Sequence, residues 1–116
     1  MSEDLANRRC KPCGSGVQPL KMVQSLTLLR ALHADWAVSE DGRELSRTFA
    51  FPEYGRTLEF TNAVASIAID ADHHPVLVVS YGTCEVNYTT HAINGLSDND
   101  FICAAKIDRL IPAAAQ

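Results

Sequence analysis

Asp72-His73-His74-Pro75-Val76-Leu77-Val78-Val79-Ser80-Tyr81-Gly82-Thr83-Cys84-Glu85-Val86-Asn87-Tyr88-Thr89-Thr90-His91 is the stretch on which the fold turns. Pro75 keeps His74 out of the helical region, so a helix arriving from the N-terminal side must stop before it. Val76 to Tyr81 is a short apolar run that reads as a strand. Beyond Gly82, Cys84, Val86 and Tyr88 alternate with Thr83, Glu85, Asn87 and Thr89, which describes a strand with one apolar face. Two such runs meeting at a glycine predict an antiparallel pair.

Upstream, Pro52 suits the first turn of a helix running to about Asp70. Its expected stripe is Tyr54, Leu58, Thr61, Ala65 and Ala68, flanked by Phe60, Val64 and Ile67. Before it, Trp36 to Phe51 reads as a hairpin around Asp41-Gly42, a dipeptide suited to a type I′ turn. That turn pairs Glu40 with Arg43, Val38 with Leu45, and Trp36 with Arg47. Trp36, Val38, Leu45, Phe49 and Phe51 then share one face. From Leu20 to His33, Met22, Val23, Leu26, Leu29 and Leu32 fall at helical spacing, with His33 at the C-terminal end, where a cation suits the helix dipole. His33 receives no catalytic role.

Downstream, Asn94-Gly95 turns the chain, and Ser97 with Asp100 has capping-box spacing for a last helix to about Leu110. Phe101, Ala104, Ala105 and Ile107 face inward in that reading. The order is α-β-β-α-β-β-α. The predicted fold is α+β, with a two-layer arrangement of a four-stranded antiparallel sheet and three helices on one face. Residues 1–19, polar and rich in Gly and Pro, predict a flexible or loosely docked arm; 20–110 form the single domain; 111–116 are a frayed tail.

The chain has 116 residues, enough for one hydrophobic core. With 47% hydrophobic and 21% charged residues it falls among ordinary globular proteins. A net charge of −4 without a basic run disfavours nucleic acid and anionic membrane as partners. The absence of a membrane-length apolar stretch and of a signal-peptide pattern makes a cytoplasmic location the default expectation. The four cysteines are then expected to stay reduced. Cys10-Lys-Pro-Cys13 has the spacing of half a zinc site or a redox pair. Cys84 and Cys103 fall in a strand and a helix rather than a second knuckle, so two surface thiols on an arm is the favoured reading.

Three of the four histidines, His73, His74 and His91, fall in the central stretch, and histidine is the side chain best suited to proton transfer near neutral pH. Adjacent histidines on an extended segment point in roughly opposite directions, which poorly matches a three-histidine zinc site. Separate jobs suit the two rings better, one for proton transfer and one for holding a ligand. Singly, each residue has a plainer explanation: His74-Pro75 as a helix stop, His91 as an exposed strand end, Asp100 as a helix cap.

Together these residues resemble the pterin-4a-carbinolamine dehydratases. The shared pattern is His73-His74-Pro75, Tyr81, Thr90-His91, Gly95-Leu96 and Asp100. Flanking matches are Trp36, Asp41-Gly42, Leu45 to Phe51, Phe60 to Ala65, and Ala105 to Asp108. The resemblance covers roughly Leu20 to Leu110, and the Cys10-to-Pro19 arm is similar to that of bacterial members. One departure is Ile69, where the family usually has an acidic or polar residue four positions before the first histidine; Asp70 and Asp72 are its nearest substitutes.

The resemblance implies dehydration of a 4a-hydroxytetrahydropterin to the quinonoid dihydropterin, in recycling the cofactor of aromatic amino acid hydroxylases. It implies His73 and His91 as the catalytic proton-transfer pair and His74, Asp72, Pro75 and Asp100 as substrate-binding, with no metal and no organic cofactor. A homodimer or homotetramer follows from family habit. The alternative is a non-catalytic protein-binding role on the same fold, as a dimerisation cofactor or an assembly factor; the three retained histidines argue against the assembly-factor form. A metal-dependent hydrolase is a weaker third possibility.

Overall fold

The structure, a computed structural model, describes residues 2–12 and 16–112, with side chains from Leu5 onward. Cys13 and residues 113–116 lie outside the described residues, and with them one half of the Cys10/Cys13 pair and most of the expected tail. The elements are α1 (Ser2–Asn7), α2 (Met22–Leu29), β1 (Ala37–Val38), β2 (Leu45–Ala50), α3 (Tyr54–Ala71), β3 (Val76–Val79), β4 (Thr83–Tyr88), a 3-10 turn (His91–Ile93) and α4 (Asp98–Asp108). The strands form one antiparallel sheet in the order β1-β2-β4-β3. This is the expected α+β architecture, with α1 as an additional helix.

Alternation sets the two faces of the sheet. Leu45, Arg47 and Phe49 of β2 and Cys84, Val86 and Tyr88 of β4 are buried on the helix side. Ser46, Thr48, Glu85 and Asn87 occupy the other face. The expected register holds at Val38↔Leu45, and Leu77↔Val86 closes the β3–β4 pair across Tyr81-Gly82. Trp36, Phe49 and Phe60 join hairpin to helix: the Phe49 ring lies 6.1 Å from Trp36, edge-on, and 4.5 Å from Phe60.

The hairpin turn differs from a type I′ turn. Among the turn residues only Gly42 has a positive φ, +73°. Its N–H reaches the Ser39 carbonyl at 2.9 Å, and Ser39 N–H pairs with the Glu44 carbonyl. Asp41 instead uses its carboxylate, which accepts from Ser39 Oγ at 2.7 Å and Arg43 N–H at 3.1 Å. Side-chain hydrogen bonding of this kind lets Asp hold a turn without left-handed backbone.

The inner stripe of α3 is Thr57, Phe60, Val64 and Ala68, one register away from the stripe expected at Tyr54 and Leu58, which are exposed. Thr57 belongs to this inner stripe. Its buried hydroxyl donates to the Tyr81 carbonyl at 2.9 Å, joining α3 to the β3–β4 turn. The helix stops at Ala71 because Asp72 turns left-handed (φ 52°), ahead of the His74-Pro75 barrier. Helix α2 ends at Leu29, so His33 lies beyond its last turn; the His33 N–H donates to Asp108 at 3.0 Å and its ring accepts from Asp35 N–H.

The expectation of a loosely docked N-terminal arm is corrected in residues 5–12. Leu5 and Ala6 are buried, α1 packs on α4, and Leu5 belongs to the same core as Phe101 and Ile107. Asn99 clamps the following segment from both sides, accepting from Lys11 N–H at 3.0 Å and donating to the Lys11 carbonyl at 2.6 Å. Further on, Leu20 N–H bonds the Leu96 carbonyl at 2.8 Å. Beside it, a β-carbon placed at Gly95 would lie 2.7 Å from the Pro19 side chain. The bare glycine admits this close passage.

Candidate active site

A cavity of about 500 Å³ opens where α3 hands over to β3, lined by Asp72, His73, His74, Thr90, His91 and Asn99 together with Cys10, Lys11 and Pro12. The left-handed Asp72 swings the chain so that His73 turns inward while His74 stays exposed. His91 arrives from the 3-10 turn after β4. Its ring stacks with that of His74 at an interplanar angle of 25°, centroids 6.2 Å apart.

His73 has the most structured surroundings. Its Nε2 lies 2.6 Å from Asp100 Oδ1, and its ring stacks on Tyr88 at 5.3 Å. The Tyr88 hydroxyl donates to the His73 carbonyl at 3.3 Å. Asp100 is wholly buried and receives Thr90 Oγ1–H at 2.8 Å and Ser97 N–H at 2.9 Å on its other oxygen. The expected capping box is present, so one carboxylate both starts α4 and grips the histidine. Burial disfavours the charged imidazole, but the hydrogen bond and charge of Asp100, with smaller contributions from Cys10 and Asp72, raise the His73 pKa above its ordinary value.

Of the residues expected at a site, His73, His74, His91 and Asp72 line the cavity. Pro75 and Asp100 do not. With no exposed surface and both oxygens engaged inside the protein, Asp100 reaches the cavity only through His73. It also supplies the carboxylate partner that Ile69 lacks; Ile69 itself is 81% exposed. Tyr81 is a surface residue stacked on Tyr54 at 6.3 Å. The wall contributed by Cys10, Lys11 and Pro12 coincides with the Cys10-Lys-Pro-Cys13 motif, whose spacing pointed to thiol chemistry rather than to a place beside the histidines. Among the described residues, no group of three or more His, Cys, Asp and Glu side chains is gathered as a metal would require. None of the described helices is long and apolar enough to cross a membrane.

A buried carboxylate grips one of three histidines around an open cavity, on a helix-backed antiparallel sheet. The sequence pattern of the family described as pterin 4 alpha carbinolamine dehydratase matches residues 18–110. A Nitrosomonas eutropha protein, provisionally named pterin-4-alpha-carbinolamine dehydratase, is 51% identical over 93% of this chain and 94% of its own. A Legionella pneumophila protein of the same provisional name is 45% identical over 96% and 98%. The crystal structure of a transcriptional coactivator/pterin dehydratase from Brucella melitensis superposes with a TM-score of 0.76, at 26% identity, over 82% of this chain and 100% of that one. A pterin dehydratase-like RuBisCO assembly factor of the alpha-carboxysome shares the fold alone, with a TM-score of 0.58 and 22% identity over 67% of this chain and 90% of the other. The chain belongs to the pterin-4a-carbinolamine dehydratase family.

Proposed function

We propose that the protein dehydrates a 4a-hydroxytetrahydropterin to the quinonoid dihydropterin and water, within recycling of the pterin cofactor of aromatic amino acid hydroxylases. The observation that carries this reading is the His73–Asp100 pair on the wall of a cavity shared with His74 and His91. Losing the 4a-hydroxyl as water requires a proton at that oxygen, and the product forms when N5 gives up its own. His73, its imidazolium form favoured by Asp100 behind it, donates the first from Nδ1. His91 takes the second, and His74 with Asp72 holds the pterin. Pro75 fixes the backbone that presents both adjacent histidines. The scheme uses no metal and no organic cofactor, and each positioned acid–base group contributes on the order of 10²–10⁴-fold.

A homodimer through the free edge of β3 accompanies this reading. That strand ends the sheet, and Val76 and Val78 are about half exposed on it (55% and 51%).

The test is the rate of quinonoid dihydropterin formation from freshly generated 4a-hydroxytetrahydropterin, for wild type, His73→Ala and His91→Ala. Expected is a wild-type rate well above the spontaneous one, depressed in both folded variants. A wild type no faster than buffer removes the dehydratase reading.

A further inference from the structure

We propose that Cys10 and Cys103 form an oxidisable pair, which a hydroperoxide converts to a disulfide that ties the N-terminal segment covalently to α4 beside the histidine cavity. The two sulfurs lie 3.7 Å apart, although 93 positions separate them in the chain. Cys10 also sits 3.8 Å from the Asn99 carbonyl, and the double clamp of Asn99 on Lys11 holds it there. The approach is therefore built into the docking of the segment.

The two thiols are unequal in the way stepwise oxidation requires. Cys10 is partly exposed and lines two openings, the histidine cavity and a second of about 420 Å³ bounded by Arg9, Asp70 and Lys106. A small solvent-borne oxidant reaches it directly. Cys103 has no exposed surface and lies behind Cys10 at 3.7 Å. The Cys103 hydrogen bond lowers the Cys10 pKa against the effect of burial, with His73 and Lys106 adding favourable charge, whereas Cys103 is held as the neutral thiol. Cys84, the remaining described cysteine, is buried and its pKa is raised by that burial, so it serves as an internal control.

The chemistry balances without any further reactant. The Cys10 thiolate attacks the peroxide, the O–O bond breaks, and Cys10 sulfenic acid forms as the alcohol (or water) leaves. Cys103 sulfur then attacks Cys10 sulfur, the S–O bond breaks, and the hydroxyl departs as water with the Cys103 proton. Two thiols and one hydroperoxide become one disulfide, one alcohol and one water. None of this depends on the dehydration reaction.

The test treats the purified full chain with stoichiometric hydrogen peroxide, alkylates the remaining thiols under denaturing conditions, and maps the peptides. Expected are loss of two hydrogens, a Cys10–Cys103 cross-linked peptide, alkylated Cys84, and a rise in Tm of several degrees that a dithiol reductant reverses. Cys13→Ser retains the bridge. Cys10→Ser, a change at a partly exposed position that avoids disturbing the core, leaves Cys103 reduced. A bridge from Cys10 to Cys13, an intermolecular bridge, or a Cys103 left alkylatable in the treated wild type overturns the proposal.

Discussion

His73 Nε2 and Asp100 Oδ1 lie 2.6 Å apart, one on the cavity wall and the other wholly buried behind it. Asp100 thus acts as a positioning residue. Asp100→Asn keeps the shape and the contact with the ring but removes the charge that stabilises imidazolium. The expected result is a His73 pKa, followed by NMR, that falls towards or below its ordinary value. The basic limb of the kcat profile moves to lower pH with it, and kcat drops on the order of 10²-fold. An unmoved profile with lowered stability would mark Asp100 as a helix cap alone.

The same pair links stability to pH. The folded-state pKa of His73 is raised above 6.5, so its contribution is fully present below that value and is lost as pH rises through the raised one. The difference in urea midpoint between wild type and His73→Gln is therefore expected to be largest in the acidic range and to shrink as pH increases past neutrality. A difference that stays constant or grows with pH contradicts the assignment.

Asn99→Ala removes both hydrogen bonds that clamp Lys11. At about 0.5–1.5 kcal/mol net for each bond, backbone exchange in the docked N-terminal segment should accelerate roughly tenfold or more. Hydrogen-exchange mass spectrometry checks this. β2 and β4 should keep their protection, because the two bonds removed are to the Lys11 backbone.

Asp108 gathers three donors at the far end of α4: Trp36 Nε1–H at 2.8 Å, Arg47 at 2.8 Å and His33 N–H at 3.0 Å. Arg47 has a side chain only 6% exposed and lies over the Phe49 ring at 4.1 Å. Asp108→Ala should destabilise the fold by roughly 3–5 kcal/mol, the usual cost of breaking a buried ion pair from one side. Arg47→Met should be milder than Asp108→Ala in the same urea titration, because the remaining Asp108 carboxylate keeps the Trp36 and His33 donors.

Local patterns carried much of this structure in plain view. Alternation at Cys84, Val86 and Tyr88 marked the central strand, Pro75 marked the helix stop, and the spacing of Ser97 and Asp100 marked the start of α4. Features decided by distant contacts were harder to read. The Thr57 hydroxyl bonds a carbonyl 24 positions away from within the buried stripe of α3, whereas Tyr54 and Leu58 are exposed. Six residues of α1 are too few to hold a helix alone, and only packing on α4 accounts for it. The histidines announced the candidate site, but the partnership of His73 with Asp100 spans 27 positions and the Cys10 wall lies further still. The Asp41-Gly42 signal located the turn correctly and misjudged its geometry: Gly42 alone is left-handed, and Asp41 holds the turn through its carboxylate.

Gly95 and Pro19 have a consequence for how such chains can diverge. With only 2.7 Å between a β-carbon at 95 and the Pro19 side chain, position 95 is not free to vary by itself. A larger residue at 95 is tolerable only in a lineage whose position 19 has already receded. Substitutions there should be inherited in a fixed order, first at 19 and then at 95, and a comparison of sequences along one line of descent would reveal it.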